Sequence, residues 1–125
     1  MKRDLDLIRD MLLHIEDVTS FNKHIFSSTL DLDTSASQDD VYGHIALLLD
    51  EEFIVGDLEE YMGTEMAHIN IERLTNKGHD YLDSIRSPKI WKKTKEGLTK
   101  VGGSTTLAVV QALAVSVSYK MLGLT

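Results

Sequence analysis

Apolar residues recur early in the chain at helical spacing. Leu5, Ile8, Leu12 and Ile15 stand three, four and three residues apart, and Met11 widens the stripe. This predicts a helix over Asp4–Asp17, with Asp4 and Asp6 in its first turn, where carboxylates suit the positive end of the helix dipole. Turn-forming clusters follow at Thr19-Ser20 and Asp31-Leu32-Asp33-Thr34-Ser35. Between them, Ile25, Phe26, Leu30 and Leu32 predict a short edge strand within His24–Leu32 rather than a helix. Ser37 with Asp40 three residues on is a variant of the capping box. It opens a helix over Ser37–Glu52 whose inner stripe is Val41, Ile45, Leu48 and Leu49.

The pattern then changes period. Ile54–Leu58 predicts one strand, Glu59–Ala67 a tip containing Gly63, and the alternation around Ile69 and Ile71 a second strand. Thr75 caps a helix with Tyr81, Leu82 and Ile85 inward. Ser87-Pro88 is a further helix start, with a capping serine and proline at the first helical position. That helix carries Ile90, Trp91 and Leu98. Gly102-Gly103 breaks it, and Ser104 is the expected cap of a last helix reaching about Leu122. A helix leading into a two-stranded ribbon is the winged-helix arrangement, in which the helix before the wing is the one presented to DNA. The expected fold is therefore mostly helical α+β. A winged-helix-like domain spans residues 1–87, with its core formed by three helices, Asp4–Asp17, Ser37–Glu52 and Thr75–Ser84, under the hairpin. Residues 88–125 add two C-terminal helices that mediate self-association.

Composition narrows the function classes. With 125 residues the chain suits one ordinary domain, and 42% hydrophobic residues allow a genuine core. No cysteine is present, which removes disulfides, thiolate nucleophiles and cysteine-based zinc sites. Acidic residues interrupt the opening apolar run that a signal peptide needs, so a cytoplasmic location is expected. The net charge of −7 is unevenly spread: residues 1–50 carry four basic and ten acidic side chains, residues 51–88 three and nine, and residues 89–125 six and one. An acidic body with a basic tail lacks the dominant basic face of a general nucleic-acid binder.

Several runs resemble a known family. The opening Met1-Lys2-Arg3-Asp4-Leu5-Asp6-Leu7-Ile8-Arg9 and the helix Val41-Tyr42-Gly43-His44-Ile45-Ala46-Leu47-Leu48-Leu49 with Phe53-Ile54 carry part of the likeness. The most specific stretch is Leu74-Thr75-Asn76-Lys77-Gly78-His79-Asp80-Tyr81-Leu82-Asp83-Ser84-Ile85-Arg86, continued by Ile90-Trp91-Lys92-Lys93-Thr94-Lys95. Together they resemble the domain-of-unknown-function family 2513 over almost the whole chain. The resemblance implies a bacterial protein, often phage- or prophage-associated, with a winged-helix-like fold and no established activity. Residues 18–36 depart from a standard helix-turn-helix, since no second helix can be read there.

The helix in the recognition position contains Asp39, Asp40, Asp50, Glu51 and Glu52 and no Lys or Arg. Base reading and phosphate contact need the opposite charge. These carboxylates are instead the expected partner-binding surface, suited to a basic protein through complementary potential; the bland alternative is a solvated acidic face. Lys89, Lys92, Lys93, Lys95 and Lys100 form the one basic patch, the candidate nucleic-acid contact should DNA be bound at all. In the last helix, Leu107, Val110, Ala114, Val117 and Met121 make a heptad-like seam, with Leu113 beside it. A central helix of the monomer, a two-fold dimer interface and a membrane span remain open readings. The span is the weakest, because Gln111 and Lys120 interrupt the roughly twenty apolar residues needed.

The five histidines show no recognised ligand spacing, although Asp10 with His14 and Asp40 with His44 stand at i,i+4. Gly102-Gly103-Ser104-Thr105 lacks the Lys of a phosphate loop and reads as a hinge. With no nucleophile elbow or acid–base constellation, neither catalysis nor a metal or other cofactor is expected. The leading expectation is a non-catalytic regulatory protein that docks on a protein partner and forms a homodimer. The alternative is a DNA-binding regulator using the wing and the lysine helix.

Overall fold

A computed structural model describes residues 1–63, 66–103 and 105–124. The chain is a mostly helical α+β protein of winged-helix-like form. Its elements are α1 (Leu5–Val18), β1 (Ile25–Ser27), α2 (Gln38–Asp50), β2 (Ile54–Glu60), β3 (Ala67–Leu74), α3 (Asn76–Ile85), α4 (Pro88–Thr99) and α5 (Leu107–Met121). Two compact units divide it, Met1–His79 and Asp80–Thr125, with the boundary inside α3.

In the first unit the local signals act as their chemistry requires. The Asp4 carboxylate accepts the Leu7 amide at 3.1 Å, and Ser37 Oγ accepts the Asp40 amide at 3.1 Å. Each satisfies one of the donors left over at a helix start. Helix α1 packs on β3 and α2, and α2 packs on β2. The apolar stripes therefore meet in one core, where Ile8, Met11, Leu12, Ile15, Ile45, Leu48, Ile69 and Ile71 are completely or almost completely buried. The sheet is antiparallel with order β1-β3-β2, so the short edge strand expected in residues 24–32 joins the outer side of β3. Residues 28–36 contain no helix; they form a loop pinned by buried Leu30.

Two boundaries move relative to the sequence reading. Helix α2 ends at Asp50 rather than Glu52: Glu51 is its C-cap, and Glu52 takes a left-handed conformation at φ 58°. That reversal turns the chain into β2, and the Phe53 amide donates back to the Leu48 carbonyl at 3.0 Å. The hairpin ladder also runs further toward the tip, through Glu60 opposite Ala67. Near its base the register shifts by one at Val55/Gly56. A Cβ on Gly56 would lie 2.1 Å from the Asn70 carbonyl oxygen, so only glycine allows the strands to approach there. Gly78 plays the same part in α3, where a Cβ would lie 2.1 Å from the Phe53 carbonyl oxygen. Thr75 Oγ1 caps α3 by accepting the Gly78 amide at 3.0 Å and donates its own proton to the Glu52 carbonyl.

In the second unit, α4 starts on Ser87, which accepts the Ile90 amide at 3.3 Å, with Pro88 in the first turn. It packs on α5, and Leu113 reaches over Gly97. The cap of α5 is Thr106, which accepts the Val109 amide at 3.2 Å. The sequence reading puts that cap at Ser104, which lies outside the described residues. Trp91, Thr94, Leu98, Leu107, Val110 and Ala114 are buried. Among the described residues no helix is long and apolar enough to cross a membrane.

Candidate docking surface

The acidic residues of α2 and of the turn that ends it fall into two groups. Asp39 is exposed and Asp40 half-buried in the first turn, while Asp50, Glu51 and Glu52 stand at the other end. At 1.5 Å per residue, Asp39 and Asp50 are about 16 Å apart along the axis. Successive turns align Asp39, Gly43, Ala46 and Asp50 on one outward strip. The middle of the face is thus small and apolar, with carboxylates only at its ends. Glu51 also carries a 3.8 Å ion pair to Lys77, an exposed contact of small energetic weight.

Beside that strip lies a groove of 830 Å³ between α2 and the hairpin. Asp39, Tyr42, Gly43 and Ala46 form its helix wall. Leu58, Glu60, Tyr61, Met62 and Met66 come from the hairpin, and Met1 lies over Gly43. Tyr42 ties the parts together: its hydroxyl donates to the Ser28 carbonyl and accepts the Ala67 amide at 3.3 Å. The hairpin end closes through the Tyr61 amide on the Met66 carbonyl at 3.3 Å. Apolar side chains nevertheless stand in solvent here, with Met62 95% and Met1 66% exposed, and Tyr61 and Met66 about half exposed. Sequence reasoning named the carboxylates and missed the methionines. A Met-x-x-x-Met spacing across a turn was the available signal, but it points nowhere until the strand register is known.

His44 answers the i,i+4 pairing with Asp40 differently from a metal clamp. Its ring is 1% exposed, and Nδ1 donates to the Asp40 backbone carbonyl at 2.8 Å. Nε2 accepts the Asp4 amide at 2.8 Å, joining α1 to α2. Both nitrogens are engaged, so this histidine builds the fold.

Lys89, Lys92 and Lys93 are exposed on α4 and Lys100 at its C-cap, and Glu96 stands among them. Lys95 is half-buried, with Nζ 5.6 Å from the Trp91 ring centroid, a cation–π contact. In α5, Leu107, Val110 and Ala114 are buried within the single chain and are not available to a second copy. Leu113 and Val117 are half-buried and Met121 is exposed. The apolar surface α5 leaves open also includes Val109, Tyr119 and Leu122.

The same chain, compared with known proteins, matches over residues 2–104 the family described as "Hypothetical protein (DUF2513)". This protein belongs to that family. A relative from Haemophilus influenzae, described as an uncharacterized protein, is 26% identical over 122 residues, covering 98% of this chain and 99% of the relative. No solved structure matches. In this member of the family the acidic strip and the methionine groove share α2, and the lysines stand on α4.

Proposed function

We propose that this protein is a non-catalytic regulatory module of a bacterial or prophage system, acting in the cytoplasm by docking its acidic unit on a basic protein partner. One observation carries the reading. Residues 1–79 hold seventeen acidic and six basic side chains, and the helix in the recognition position with the turn that ends it contributes five of the acids, Asp39, Asp40 and Asp50 in the helix and Glu51 and Glu52 just after it, and no Lys or Arg. Such a field repels phosphates and accelerates encounter with a cationic protein surface. Membership of the family and a relative in Haemophilus influenzae support the bacterial setting. The test is affinity capture from a host lysate with the wild type and with Asp39→Lys combined with Asp50→Lys. A basic partner should be retained by the wild type, released as salt rises from about 0.05 to about 0.5 M, and lost from the variant. Capture that ignores both salt and charge reversal would rule the proposal out.

The exposed lysines of α4 favour a second reading, a DNA-binding regulator working through the wing and this helix. Against it, the wing strand β2 presents Asp57, Glu59 and Glu60 to solvent. The exposed apolar residues of α5 support a further element of the proposal, pairing of two copies through Val109, Tyr119, Met121 and Leu122.

A further inference from the structure

We infer that the groove between α2 and the hairpin receives an amphipathic, lysine- or arginine-rich helical segment of a protein partner, its apolar side on the methionines and its cations toward Asp39 and Glu60. This rests on the acidic-docking reading above and names the site and the chemistry of its occupant. Three features of the groove select that class. Its lining carries apolar, adaptable side chains: Met1, Met62 and Met66 are unbranched, polarisable and at least half exposed, and such side chains mould themselves to varied apolar partners. Its helix wall is shallow because Ala46 adds almost no side chain and Gly43 none, which lets the Met1 side chain lie flat against α2 and become part of the apolar lining. Carboxylates stand at its edges, Asp39 on α2 and Glu60 on β2, within a unit of strongly negative charge. An apolar face flanked by cations complements that layout, and helix-in-groove recognition uses anchors at i, i+3, i+4 and i+7. A nucleic acid would meet carboxylates and thioethers where it needs cations. The chain's own basic helix is excluded as occupant, since Trp91, Thr94 and Leu98, the apolar side of α4, are already buried in their own chain.

The test uses the full chain and two synthetic peptides of identical Leu/Lys composition. One has leucines at i, i+3, i+4 and i+7; the other has a scrambled order with no apolar face. Methionine methyl resonances give the readout, because the chain's five methionines include buried Met11 and Met121 on α5 as internal controls. The ordered peptide should shift the Met62 and Met66 methyls and leave Met11 and Met121 in place. Met62→Glu with Met66→Glu should weaken it at least about tenfold, as loss of central anchors does. Both side chains are exposed, so far-UV circular dichroism should confirm an unchanged fold. Glu60→Lys should weaken binding too and leave the methionines present. The inference is overturned by Met62 and Met66 signals that stay still, or by two peptides that bind alike and ignore the groove substitutions. Salt-sensitive binding that bypasses the groove would sink this inference while leaving the acidic-docking reading standing.

Discussion

His44 offers a measurable link between one side chain and the joining of two helices. His44→Leu roughly conserves volume but removes both ring nitrogens. The Asp40 carbonyl keeps its place in the helix ladder, whereas the Asp4 amide loses its acceptor at 2.8 Å. An orphaned amide costs about 1–3 kcal/mol when dry. Asp4 is an exposed residue, so water relieves part of the loss, and leucine is the better helix former by a few tenths. The net expectation is about 1–2 kcal/mol. His44→Ala adds a cavity beneath a site that is 1% exposed, contributing about 2 kcal/mol more, for a total of about 3–4 kcal/mol. With a urea slope of about 2 kcal/mol/M, the midpoint should fall by about 0.5–1 M for leucine and about 1.5–2 M for alanine. Hydrogen exchange supplies the residue-specific control, because the Asp4 amide should lose protection in both variants. A leucine variant as stable as the wild type, with the Asp4 amide still protected, would refute the claim that this contact holds α1 to α2.

Gly78→Ala places a methyl 2.1 Å from the Phe53 carbonyl oxygen, and because backbone cannot yield cheaply it should cost at least about 2 kcal/mol in thermal or urea unfolding. Lys92→Glu with Lys93→Glu, both exposed, should leave partner capture intact; if a mobility-shift assay instead shows salt-sensitive DNA binding by the wild type that this variant loses, the DNA-binding reading takes precedence. Val109→Asp with Leu122→Asp should preserve the helix signal and convert any dimer to monomer in sedimentation velocity, since both positions are exposed in the single chain. A wild type that sediments as a monomer at every concentration would remove self-association from the proposal.

Much of the architecture was legible because its signals are local. Asp4, Ser37 and Ser87-Pro88 mark helix starts by satisfying nearby amides, and the change from helical spacing to alternation at Ile54 marks the hairpin. Where two neighbours could do the same job, local chemistry did not decide: Ser104 and Thr106 are both competent caps, and α5 begins after Thr106. Glu52 reads as the end of a helix in the sequence because nothing in its side chain announces a left-handed turn. For α5, an apolar periodicity could not say which residues face their own chain; packing on α4 settled that Val110 and Ala114 turn inward.

By itself, the order of residues determined the class of fold, the sign of the charge on each segment and the absence of cations from α2. All of these depend on composition or on contacts within a turn or two. Only the tertiary structure could assemble the groove, because Met1, Gly43 and Met66 are brought together by the strand register and by the packing of α2 on β2. It also decided that His44 bonds two backbone groups rather than an ion. Long-range pairing has no local spacing rule, so sites made from distant segments appear when the chain closes on itself.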